Sequence, residues 1–545
     1  MHIIYFILFF IYFYFLGRGI LIGINKLSKK NLFDDDSIFF DTSILIFYPL
    51  VGIIFFSNLM FVSNFFTSLK NPGLFLISSL FILLNLYKRV EILKNKFIYL
   101  ISLLNLSILS FSSYDINFQY DAGYYHLNYQ NWLREDKLIF GLNNLNGAFG
   151  TSSIVDYLAA PFWIGSNLIF LHYISIFFVV VLANFLFYHI FISSNKYFHL
   201  SSVLLLFFGF FDNFGLSGGR NGFFTIHGII KPDIASGIIF YLSCIFLTYI
   251  YINKKYNQIE IVGLNLLIIF AYQLKISSSL LFLFFLMILI NSKKFSFKTL
   301  FYTNSLLILW LVKNIFLTSC LIYPIEVTCF QLPWYNIDAI IGIANVTSDF
   351  NNSYIIGDSF ISWFKAWIMI EINKTIIYNF LFSLVIVFII KKFITKKITE
   401  NKLGDFIFPI CFVLGNLIIW IVGAAHPRFI YGLFAYILSM LAINYKAVEI
   451  RYSKSNFTNL IFLSIFMVTV LLIPRVNSYK TFLDDPFRNP EITPPVVEYR
   501  DLRDNWVLPK EGDQCWINLD CIPYDKNIFQ SDFLIYKGFV INKPS

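Results

Sequence analysis

The sequence predicts an all-α polytopic integral membrane protein. Three observations carry this: 58% of the 545 residues are hydrophobic against 13% charged, apolar runs of membrane length recur from end to end, and basic residues collect in alternate connections between those runs. Ordinary soluble domains hold about 25% charge and about 45–50% apolar residues, so a water-soluble globule and a disordered chain are both excluded. The net charge of +9 follows the same topology, because Lys and Arg fall mostly in short loops; it does not read as a nucleic-acid surface.

Crossing about 30 Å of hydrocarbon takes about 20 mostly apolar helical residues. In chain order such runs lie at 2–22, 43–66, 73–87, 97–113, 163–193, 199–216, 233–252, 259–274, 276–291, 299–318, 375–391, 405–424, 428–446 and 457–474, giving about fourteen transmembrane helices, or twelve where short runs merge. The first has no basic leading segment and no small-residue cleavage site before Arg18, so it reads as a retained span. Basic clusters at Lys88/Arg89/Lys94/Lys96, Lys254/Lys255, Lys293/Lys294/Lys298, Lys391/Lys392/Lys396/Lys397/Lys402 and Lys446/Arg451/Lys454 mark every second connection as cytoplasmic. The alternate connections, 113–162, 217–232, 319–374, 425–427 and the tail 475–545, are then external. The chain divides into accessory helices over 1–96, a transmembrane domain over 97–474 and a small external C-terminal segment over 475–545. Cys320/Cys329 and Cys515/Cys521 fall in external segments, where an oxidising compartment permits disulfides; four free thiols are the alternative.

The polar sequence of interest begins in the first large external loop, at Tyr120-Asp121-Ala122-Gly123-Tyr124-Tyr125-His126. At helical spacing Ala122, Tyr125, Tyr129, Trp132 and Leu133 fall on one side, while Asp121, Asn128 and Glu135 recur every seven residues. The pattern predicts an interfacial helix lying along the membrane surface, aromatic side down. Asp121 reads either as an N-cap or as a general base that takes the proton of an acceptor hydroxyl. His126 reads as a hydrogen-bonding packing residue, a metal ligand or a second base. The loop Gly141-Leu-Asn143-Asn144-Leu-Asn146-Gly147 offers amides to sugar hydroxyls, or is a turn-rich connection that ends in a Ser/Thr helix cap.

Basic residues at external helix ends run against the topological rule and so carry information. Arg220, Lys231, Lys275, Lys313 and Arg428 lie at or just inside the outer boundary, on different spans or loops. Burying a charge in lipid is costly, so such groups face the bundle interior or a water-filled cavity. Five of them converging would bind an anion such as a lipid-linked phosphate; independent snorkelling of each is the competing reading. Asp233, following Lys231-Pro232, caps its helix, pairs with a cation or holds a metal, and His426 precedes Arg428 in a short external turn.

The stretches YDAGYYHLNYQNWLRE (120–135), GLNNLNGAFG (141–150), KPD (231–233), LKISS (274–278), LVKNIFLTSCLIYP (311–324) and HPRF (426–429), in this order and topology, resemble the GT-C superfamily of polytopic glycosyltransferases, within an uncharacterised group of related bacterial membrane proteins. The resemblance implies an inner-membrane enzyme with its site facing outward, using a polyprenyl-phosphate-linked sugar and an extracytoplasmic glycan, lipid or protein acceptor. Asp121 would be the first-loop acid that serves as base or metal ligand, and Arg220, Lys231, Lys275, Lys313 and Arg428 would bind the donor phosphate. His126, Asn128, Glu135, Asn146, Asp233 and His426 would contact substrate or acceptor, and a divalent cation (Mg or Mn), if used, would meet Asp121, His126 or Asp233. Two departures favour simple base catalysis: His426 stands where an acid is expected, and no second acid adjoins Asp121. Competing functions are an envelope polysaccharide polymerase using a diphosphate-linked donor, a flippase for an anionic lipid-linked glycan, and a structural membrane subunit.

Overall fold

The structure, a computed structural model, describes residues 2–28, 46–87, 97–114, 116–193, 196–214, 232–254, 258–292, 297–352, 359–393, 395–397, 404–423, 425–426, 429–443, 445–447, 483–485 and 490–541. It is mostly helical, as an apolar chain must be in lipid, where only the helix satisfies every backbone group within one segment. Among the described residues six helical stretches are long and apolar enough to cross a membrane: His2–Ile24, Ile169–Phe191, Pro232–Asn253, Leu300–Thr318, Asn373–Lys392 and Phe406–Gly423. Seven further apolar helices have 10–17 residues, among them Tyr48–Asn64, Glu260–Leu274 and Tyr431–Ala442. The chain is an α-helical membrane protein. The run expected at 457–474 lies outside the described residues.

Burial separates the centre of the bundle from its rim. The apolar windows of Ile169–Phe191 and Pro232–Asn253 are 94% and 89% buried, against 17% and 22% for Asn373–Lys392 and Phe406–Gly423. On the latter two, Phe382, Val385, Phe388, Ile418 and Val422 face outward, as lipid-facing side chains do. At the other edge the helices His2–Ser28 and Tyr48–Asn64 touch backbone to backbone. A Cβ on Gly17 would lie 1.9 Å from the Tyr48 carbonyl oxygen, and one on Gly52 would lie 2.0 Å from that of Phe13. Lipid supplies no hydrophobic drive between helices, so such close approach, together with interhelical amide bonds, holds them. Asn105 Nδ2 donates to Asn184 Oδ1 at 2.9 Å and Gln273 Nε2 to Asn58 Oδ1 at 2.9 Å.

The first-loop helix buries its aromatic side, with Tyr129 1% and Trp132 4% exposed. The C-terminal segment covers part of its other side: Trp516 packs on Gly123, Asn128 Nδ2 donates to the Asn518 carbonyl, and Asn131 Nδ2 donates to the Ile517 carbonyl at 2.8 Å. Glu135, at the end of the helix, stays on the exposed surface. Hydrophobic periodicity reports the apolar contact and is blind to a cover fastened by main-chain hydrogen bonds. The same segment forms two antiparallel hairpins, Tyr499–Asp501 with Val507–Pro509 and Phe529–Phe533 with Tyr536–Val540. The second hairpin clasps the loop at Phe140, whose N–H donates to the Lys537 carbonyl and whose carbonyl accepts from Phe539 N, both at 2.9 Å.

Candidate functional site

Asp121 opens the first-loop helix with helical backbone angles, φ −60° and ψ −27°, and its side chain makes no cap bond. An N-cap needs an extended backbone so that its oxygen can turn back onto the first turn; the capping reading of Asp121 is thus replaced. Its half-buried carboxylate has no hydrogen bond to any described residue. Residues Ala122–His126 are wound as a π turn before the α-helix Leu127–Glu135, a local widening that recurs at functional positions.

His126 is buried at the end of that turn, and its Nδ1 meets Asp156 Oδ1 at 3.1 Å. Asp156 is positioned by local sequence: Ser153-x-x-Asp156 forms a capping box on the helix Ile154–Ala159, with Ser153 N donating to Asp156 Oδ2 at 3.0 Å. Gln130 Nε2 adds a third donor at 3.0 Å, and the Ser153 hydroxyl reaches the Leu274 carbonyl at 3.1 Å. Burial by itself pulls the His126 pKa down; Asp156, with its hydrogen bond, then Asp121 and Asp233, outweigh it and raise the ring above its ordinary value. The pair is a buried histidine–carboxylate contact in which the charged form of the ring is favoured more than in water, and sequence reading missed Asp156. Its signal was the S-x-x-D spacing ahead of an apolar helix.

A second ion pair completes the cluster. Asp233, at the start of Pro232–Asn253, accepts from Lys275 Nζ at 2.6 Å. Lys275 sits at the break after Gln258–Leu274, and its ammonium lies 3.3 Å from the Phe429 ring centroid. The His426 ring packs on Phe429 with centroids 5.7 Å apart. Because Asp121, Asp156 and Asp233 all act on His126, four remote stretches of the chain share one polar centre. Of the residues singled out in the sequence, the structure brings together Asp121, His126, Asp233, Lys275 and His426.

Others have structural tasks. Asn128 is tied to the C-terminal segment, Glu135 pairs with Lys70 on the exposed surface at 2.8 Å, and Asn146 caps its own turn through Ala148 N at 3.0 Å while donating to the Tyr124 carbonyl. Lys313 neither snorkels nor faces open space: it is 1% exposed, donates to Ser152 Oγ at 3.0 Å and lies 3.8 Å from the Trp310 ring centroid. Arg220, Lys231 and Arg428 lie outside the described residues. Disulfides join Cys320 to Cys329 and Cys515 to Cys521. Among the described residues no group of three His, Cys, Asp or Glu side chains is arranged to hold a metal ion.

The fold and this centre define a helical membrane protein with a charged cluster gathered at helix ends and partly roofed by its own C-terminal segment. Residues 1–435 match the family described as a domain of unknown function (DUF8201), and the chain belongs to that family. No curated protein and no solved structure matches it.

Proposed function

We propose that the chain is an inverting glycosyltransferase of GT-C type, with about fourteen spans in the inner membrane, that moves a sugar from a polyprenyl-phosphate donor to an acceptor outside the cytoplasm. The observation that carries the reading is the carboxylate of Asp121, unbonded among the described residues, in the same polar centre as the buried His126–Asp156 contact and the Asp233–Lys275 pair. As the acceptor oxygen attacks the anomeric carbon, Asp121 takes its proton; the bond from that carbon to the phosphate oxygen breaks, and the electron pair leaves with the polyprenyl phosphate. Fixed cations are suited to the charge that develops on the leaving group. Lys275 is the described candidate, with Arg220, Lys231 and Arg428 completing the set from sequence; enclosed Lys313 is left out of it. The two disulfides, in segments that the basic-loop pattern assigns to the outside, support an oxidising compartment for this face.

The test compares wild type with Asp121→Asn at equal membrane levels, using radiolabelled sugars on polyprenyl phosphate. Loss of a general base lowers transfer by about 10²–10⁴-fold. Undiminished transfer in the variant overturns the assignment, and movement of the lipid donor across the bilayer without transfer replaces the enzyme by a transporter.

A further inference from the structure

The C-terminal segment brings its own side chains to the edge of Asp121. Asp513 Oδ2 accepts from the hydroxyls of both Tyr120 and Tyr524, the latter at 3.0 Å. The Tyr124 ring stacks on that of Tyr120, centroids 5.6 Å apart and planes 26° from parallel. Although their hydroxyls are fastened, Tyr120 and Tyr524 remain 56% and 48% exposed, so part of each side chain stays accessible, with Tyr124 covering one face of Tyr120. Asp513 Oδ1 has no partner among the described residues.

The segment is fixed for this purpose by several independent ties. Cys515–Cys521 closes a short loop, Gln514 Nε2 donates to the Tyr120 carbonyl at 3.1 Å, and Trp516 N donates to the Gly123 carbonyl at 2.9 Å. Trp516 itself is held at φ +50°, a left-handed conformation that is strained for a non-glycine residue and persists only where the surroundings over-determine it. Joining the tail to the bundle does not require half-bare aromatic faces, whereas binding a sugar does. A pyranose presents a C–H face that packs on an aromatic ring, and hydroxyls that donate to a carboxylate. Two acids, Asp121 and Asp513, border the spot, which repels a phosphate and admits a neutral or amino-bearing sugar.

We propose that Tyr120, Tyr124 and Tyr524, gathered round Asp513, form a carbohydrate-binding platform that receives the acceptor beside Asp121. The assignment of an acceptor rests on the transferase reading above; the affinity for carbohydrate does not.

The experiment is saturation-transfer NMR on the full chain in nanodiscs, with chitotriose, cellotriose and mannotriose as probes. At least one trisaccharide binds wild type, Tyr524→Ala weakens it at least fivefold, and Tyr524→Phe, which keeps the ring face, stays within about twofold of wild type. Absence of binding by wild type, or equal binding by Tyr524→Ala with an unchanged thermal midpoint, overturns the platform. The transferase reading fails separately, through undiminished transfer in Asp121→Asn, and trisaccharide binding is indifferent to that result.

Discussion

Replacing Asp156 by Asn removes one charge from a buried group without changing its shape. The carboxylate, in a residue 1% exposed, serves three donors: His126 Nδ1 and Gln130 Nε2 on one oxygen, Ser153 N on the other. An amide has a single acceptor oxygen, so at least one donor, Ser153 N in the better orientation, is left facing an NH₂ group. A buried unsatisfied donor costs about 1–3 kcal/mol, and the lost charge-assisted bond to His126 about 1.5–3 kcal/mol. Together these give about 3–5 kcal/mol, the range found when one partner of a buried ion pair is removed. The pH dependence follows from the raised pKa of His126. A folded pKa above the unfolded value contributes stability that is fully present below about pH 6.5 and is lost as pH rises through the folded pKa. In Asp156→Asn burial dominates, the ring favours its neutral form, and the linkage weakens or reverses. Thermal unfolding in detergent, followed by fluorescence-detected size exclusion between pH 5.5 and 8.5, therefore shows the widest gap between wild type and variant at the acid end. A gap that is constant with pH, or a cost under about 1 kcal/mol, refutes the imidazolium–carboxylate assignment.

Two glycines give sharp packing tests. A Cβ at Gly123 would lie 2.6 Å from Trp516 Cε2, and the buried indole has little room to yield because the Trp516 backbone N–H donates to the Gly123 carbonyl. Gly123→Ala should cost about 1–3 kcal/mol by overpacking and speed proteolytic cleavage within residues 499–541 at least fivefold, read by gel against wild type. Gly52→Ala meets a backbone oxygen at 2.0 Å, so the helices His2–Ser28 and Tyr48–Asn64 must part. The expected outcome is a lower thermal midpoint than for Ala at Gly342, where the added methyl meets nothing within 4 Å.

How far the sequence could be read follows from what each signal encodes. Long apolar runs report helices directly, which is why Ile169–Phe191 and Pro232–Asn253 fall close to their expected limits. Helices of 10–17 residues, such as Tyr48–Asn64, are ambiguous by length alone. Polar residues at helix ends pointed to Asp121, His126, Asp233 and Lys275 because charge at that depth is costly wherever it has no purpose. The seven-residue spacing of Asp121, Asn128 and Glu135 placed them on one side of a helix but could not say what lies opposite. Lys70 claims Glu135, and a carbonyl about 390 positions downstream claims Asn128. The Ser/Thr helix cap expected after the glycine-rich loop is Ser153, but only the fold reveals that His126 meets its capping-box partner Asp156. The tail shows little apolar periodicity because its hold combines backbone hydrogen bonds with scattered buried side chains such as Trp516, Ile522 and Phe539.

The distance along the chain between Tyr120 and Asp513, 393 positions, has a consequence for biogenesis. Ribosomes add about 5–20 residues per second, so the segment bearing Asp121 emerges roughly 20–80 s before the residues that will roof it. During that interval the centre is unfinished: nascent chains halted before Cys515 would lack both the Cys515–Cys521 cross-link and the Asp513 contacts of Tyr120.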